Sequence, residues 1–123
     1  MYYGSNVEII EKILKDNNKK FNVQIANDNS EGQIVLSGKF DELNNLILVL
    51  KDNSIKNIKL PVSAPFHCSL MNPATKIMSQ ELNKLKFNEV ENKLISNVTA
   101  KLISNSNELK ELLIKQIENR VRW

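Results

Sequence analysis

A chain of 123 residues, 41% hydrophobic and 25% charged, is long enough for one domain or two small lobes and too apolar to remain a disordered tail. Its formal charge of +3 comes from lysines scattered among acids, and aromatics make up only 6%, so neither a basic stripe nor a stacking platform forms and no nucleic-acid partner is expected. No apolar run reaches the roughly 18–20 residues of a membrane-spanning helix, the start Met1-Tyr2-Tyr3-Gly4-Ser5-Asn6 lacks the blocks of a secretion signal, and the single Cys68 cannot close an internal disulfide; a cytoplasmic setting without a membrane partner is expected.

Ser5-x-x-Glu8 has the spacing of a capping box, and Val7, Ile10, Ile13 and Leu14 recur behind it at helical period, which predicts a helix from about Asn6 to Asp16. Phe21, Val23 and Ile25 alternate with polar residues as a half-buried strand does. Asn27-Asp28-Asn29-Ser30-Glu31-Gly32 reads as a turn, followed by a second strand over Gln33 to Ser37. After Gly38 a helix carries Leu43, Leu46, Ile47 and Leu50 on one stripe and stops near Asp52-Asn53. Ile58, Leu60 and Val62 alternate as a third strand. Ser63 to Ser69 is a loop, because Pro65 removes a backbone donor and restricts Ala64 before it. A helix from about Leu70 follows, with Pro73 in its first turn and Ala74, Ile77, Met78, Leu82 and Leu85 on its apolar side. Leu94 to Val98 is apolar enough for a buried strand, and Asn105-x-x-Glu108 caps a last helix with Leu109, Leu112, Leu113 and Ile117.

The one histidine, His67, sits in a strand-to-helix loop, where rigid scaffolds present reactive groups, although a surface or structural histidine fits the same position. A metal site is not expected, since Cys68 is the sole thiol and there is no second imidazole. Adjacent residues in extended backbone point to opposite sides, so Cys68 and His67 do not form a nucleophile pair. No Gly-x-Ser-x-Gly elbow, phosphate-binding glycine loop or helical metal pair occurs. A base without a visible nucleophile remains.

Longer strings carry a resemblance. Leu60-Pro61-Val62-Ser63-Ala64-Pro65-Phe66-His67-Cys68-Ser69-Leu70-Met71 resembles the catalytic-histidine motif of the malonyl-CoA:acyl carrier protein transacylases. The stretch from Ala26 to Gly38 is similar to that family's small-lobe signature, Ile95 to Val98 to its next strand, and Gln116 to Trp123 to the segment supporting the histidine. The resemblance implies a malonyltransferase of fatty acid biosynthesis that passes malonyl from coenzyme A to acyl carrier protein through a serine ester. It implies His67 as general base, oriented by the backbone carbonyl of Gln116; an ordinary helix end explains Gln116 equally well. Phe66 resembles the aromatic that favours malonyl over branched groups, because a ring there leaves no room for a further methyl, and it reads equally as a packing aromatic. Asn27 and Asn29 are candidate pocket residues or simply turn formers. No cofactor is implied beyond the substrates malonyl-CoA and phosphopantetheinylated acyl carrier protein.

The fold implied is α/β: residues 1–62 as an α+β, ferredoxin-like βαββαβ small lobe lacking its first strand, and residues 63–123 as a partial large acyltransferase lobe of α/β-hydrolase type with the histidine loop. The Gly-His-Ser-x-Gly elbow, oxyanion strand and malonate-binding arginine of the resembled family do not occur in these residues, and Arg120 stands where that family commonly has proline. The chain is therefore expected to be a fragment, inactive alone and acting with a separately encoded N-terminal half. The alternative is a non-enzymatic remnant or a small carrier-protein-binding module, with Lys56 and Lys59 attracting an acidic carrier.

Overall fold

The computed structural model describes residues 2–3, 6–89 and 91–123. The first helix, α1 (Val7–Asp16), starts where the Asn6 side chain accepts the Ile9 amide at 3.1 Å and ends where the Asn17 side chain donates to the Ile13 carbonyl at 2.9 Å. Ser5, expected as the cap, lies outside the described residues. Strands β2 (Gln24–Ser30) and β3 (Gln33–Ser37) form an antiparallel hairpin around Gly32, whose φ of 76° suits a residue without a Cβ. At Gly38 the chain leaves the sheet so closely that a Cβ would meet the Val23 side chain at 3.0 Å, and α2 (Phe40–Asp52) follows.

The core lies between these two helices and the sheet. Ile10 and Ile13 of α1, Leu46 and Leu50 of α2, Ile25, Ile34 and Leu36 of the hairpin, and Phe21, Val23 and Ile55 beside it form one buried cluster.

With β1 (Tyr2–Tyr3), β4 (Lys56–Asn57) and β7 (Val121–Arg122), the five-stranded sheet has the order β4-β1-β3-β2-β7, β1 being antiparallel to both β3 and β4. This corrects the expectation of a small lobe without a first strand: Tyr2 pairs with Ile34 and Asn57, so two residues occupy the place between β3 and β4. The final strand β7 (Val121–Arg122) joins the other edge, parallel to β2. A short 3₁₀ turn (Ser69–Met71) leads into α3 (Asn72–Lys84), and α4 (Ser106–Gln116) begins where Asn105 Oδ1 accepts the Glu108 amide at 2.9 Å. Between α3 and α4 lies a separate two-stranded hairpin of β5 (Ile95–Ser96) and β6 (Lys101–Leu102).

Three further expectations are corrected. Asn27, Asp28 and Asn29 extend β2 rather than forming the turn, since register shifts on either side of Asn27–Asp28 absorb them into the pairing with β3. Strand β4 stops at Asn57, before Ile58, Leu60 and Val62: Pro61 has no N–H for a ladder, and the Val62 amide turns back to the Leu60 carbonyl at 2.9 Å. Leu94 to Val98 is not a buried strand; among the described residues Ile95 pairs with the thin β6 alone and is 70% exposed. Among the described residues, no helix is long and apolar enough to cross a membrane.

Candidate active site

His67 occupies the loop between β4 and α3 and has a φ of 55°. The left-handed conformation costs a residue with a Cβ about 1–2 kcal/mol, so the surroundings must hold it there. They do so from several sides. Pro65 fixes the approach, the buried Cys68 thiol donates to the Pro65 carbonyl at 3.1 Å, and the Ser69 amide donates to Gln24 Oε1 of β2 at 2.6 Å.

The imidazole itself is anchored across 49 positions of sequence: His67 Nδ1 lies 2.8 Å from the backbone oxygen of Gln116. A carbonyl oxygen only accepts, so Nδ1 carries the proton and, in the neutral ring, Nε2 keeps its lone pair. Gln116 is the last residue of α4, and the final four carbonyls of a helix have no intrahelical partner. The helix end thus supplies the acceptor without any contribution from the glutamine side chain. That end is braced from the other direction by Glu118, whose carboxylate accepts from Asn72 Nδ2 at 3.1 Å and Thr75 Oγ1 at 3.2 Å, both on α3.

His67 lines a cavity of about 710 Å³ between β2, β3, the start of α2 and the histidine loop. The same cavity brings together Phe66, Asn27 and Asn29; Gln116 is not among its lining residues and meets the site only through its carbonyl. Phe66 is half-exposed and lines the cavity from the loop. Much of the wall is apolar, including Leu43, Ile47, Leu60 and Val62, while among the described residues its charged side chains are Lys39 and Lys59, with no carboxylate. Lys59 Nζ sits 3.8 Å from the centroid of the Phe40 ring, a cation–π contact. Among the described residues, no group of three or more histidine, cysteine or acidic side chains could hold a metal.

Gln24, Phe40 and Glu118 are contributors that sequence reading did not single out for this site. Gln24 acts through one polar contact and Glu118 through two, all to residues more than 40 positions away, which no periodicity reveals.

No family model matches the chain. Its sequence is 34% identical over 102 residues to the malonyl CoA-acyl carrier protein transacylase of Escherichia coli strain K12, a match covering 82% of this chain and 33% of that protein. The crystal structure of malonyl CoA-acyl carrier protein transacylase from Clostridium perfringens is similar with a TM-score of 0.91 at 35% identity, over 98% of this chain and 38% of that one. A structure of a type II PKS acyl-carrier protein in complex with its malonyl-transacylase is similar with a TM-score of 0.91 at 28% identity, over 99% of this chain and 40% of the matched one. The chain spans about a third of the length of the curated relatives it matches.

Proposed function

We propose that this chain, which in sequence and fold resembles the C-terminal part of the malonyl CoA-acyl carrier protein transacylases, supplies the general base of malonyl transfer from coenzyme A to acyl carrier protein. The observation that carries the reading is the 2.8 Å contact from His67 Nδ1 to the Gln116 carbonyl, which leaves Nε2 able to accept a proton. The nucleophile lies outside these 123 residues, as no Gly-x-Ser-x-Gly occurs in them. In the reaction proposed, His67 Nε2 takes the serine hydroxyl proton as its oxygen attacks the malonyl thioester carbonyl, and the proton passes to the departing coenzyme A sulfur. His67 then deprotonates the pantetheine thiol of the carrier protein. That thiolate attacks the malonyl-serine ester, and the serine oxygen recovers the proton.

Phe66, Asn27 and Asn29 would face the acyl group from the shared cavity, with the Phe66 ring limiting room for a branch. The strand order β4-β1-β3-β2 with two helical crossovers supports a ferredoxin-like small lobe over residues 1–62, and residues 63–123 would form part of the large lobe of α/β-hydrolase type. The exposed Ile77 and Met78 of α3 support that reading, since they form an apolar face with no cover in these residues. On this reading the chain alone is inactive, needs no cofactor besides its two substrates, and works in the cytoplasm with acyl carrier protein.

The test combines this chain with a segment bearing the Gly-His-Ser-x-Gly elbow and follows transfer of labelled malonyl to holo acyl carrier protein. We expect His67→Ala to reduce transfer roughly 10²–10⁴-fold. Unchanged transfer would remove His67 from the chemistry. Carrier-protein binding by the chain alone, with no transfer in the reconstituted pair, would favour the second reading, a carrier-protein-binding module; the acid-free, lysine-bearing cavity is the observation that supports it.

A further inference from the structure

We infer that Arg120 is a positioning residue: by tying β7 to β2 and α1 it holds the end of α4 where the Gln116 carbonyl selects the tautomer of His67. The inference rests on reading His67 as the base. Strand β7 is two residues long and pairs with β2 through Asn27↔Val121 and Asp28↔Arg122, too short a ladder to fix the segment unaided. Arg120, immediately before it, adds two charged anchors. Its Nη1 donates to Glu11 Oε1 of α1 at 2.8 Å and its Nη2 to Asp28 Oδ2 of β2.

The guanidinium fork suits this task because it holds two carboxylates at fixed angles, which the point charge of a lysine does not. The Arg120 side chain is 21% exposed and Asp28 30%, whereas the Lys84–Glu81 pair on α3 is 67% and 59% exposed. Salt and water therefore screen the Arg120–Asp28 pair much less than the exposed one. The backbone continues the tie, with the Trp123 amide donating to the Asp28 carbonyl at 3.1 Å and the Arg122 amide to the Asn97 carbonyl at 2.7 Å.

Gln116 lies four residues before Arg120, and Glu118 lies between them with its bonds to Asn72 and Thr75. The carbonyl is held between two clamps. One runs through α3, which begins just after His67; the other runs to β2, whose Asn27 and Asn29 line the His67 cavity. Loosening the second clamp leaves the end of α4 held on the β2 side only by the short β7 ladder and its backbone bonds, and Nδ1 loses the fixed acceptor that keeps it protonated.

The test is nitrogen-15 NMR of the His67 ring in the full 123-residue chain, at a pH where the ring is neutral. In the unaltered chain one signature is expected, a protonated Nδ1 with a bare Nε2. Arg120→Met and Asp28→Asn should each lose that signature and give signals averaged between tautomers. Ile55→Val, a core change away from the clamp, should keep it even where its melting temperature falls as far. Should Arg120→Met not fold, Asp28→Asn carries the comparison. An unchanged signature in the clamp variants, or equal loss in Ile55→Val, overturns the inference while leaving His67 as the base. A protonated Nε2 in the unaltered chain overturns the reading of His67 itself, and the inference with it.

Discussion

Helices α2 and α3 have the same length and similar amphipathic stripes, yet their fates differ. In α2, Leu46 and Leu50 are fully buried against the sheet and α1. In α3, no residue is buried, and Ile77 and Met78 remain 63% and 44% exposed. An apolar stripe states which face of a helix seeks cover; whether cover exists depends on what the rest of the fold brings to that face. The first part of the chain encloses its own core, whereas the second is a frame for His67 with an open apolar side.

Mutations in the two regions should separate accordingly. Leu46→Ala should lower the unfolding free energy by about 2–5 kcal/mol, since the tightly packed site closes only partly over the lost methyl groups; urea denaturation followed by circular dichroism measures this. The two side-chain caps, Asn6→Ala on α1 and Asn105→Ala on α4, should each cost about 1 kcal/mol, because each leaves a first-turn amide unpaired. Equal costs would show that the α4 region unfolds together with the core, and a negligible cost for Asn105→Ala would show that the frame melts on its own. Ile77→Ser on α3 should change stability by less than about 0.5 kcal/mol while raising the concentration at which the chain stays monomeric in gel filtration. A loss comparable to that of Leu46→Ala would break the comparison by showing that α3 is covered in solution.

Much of this was legible in local sequence. The Asn105-x-x-Glu108 cap, the helical stripes of α1 and α2, the β3 strand from Gln33 to Ser37 and the loop set by Pro65 each depend on residues within one or two turns of one another. Where reading failed, a distant partner had decided the outcome. The asparagines at 27 and 29 tolerate turns, but β3 offered hydrogen bonds that drew them into a strand. Ile58, Leu60 and Val62 alternate like a strand, but the proline between them withholds a ladder donor. Tyr2–Tyr3 stand where the end of the small lobe's first strand was expected to be missing, and they pair as a strand because β3 and β4 flank them on both sides.

The sequence by itself determined the helices, the hairpin, the loop around His67 and, through its longer strings, the transacylase resemblance. Propensity, capping and backbone restriction act over a few residues and are written in those residues. Only the tertiary structure decided the protonated nitrogen of His67, its left-handed backbone, the common cavity of Phe66, Asn27 and Asn29, and the clamp at Arg120. Each depends on groups that lie tens of residues apart and meet only once the sheet and α4 are in place, because a hydrogen bond or ion pair is defined by distance in space rather than in sequence.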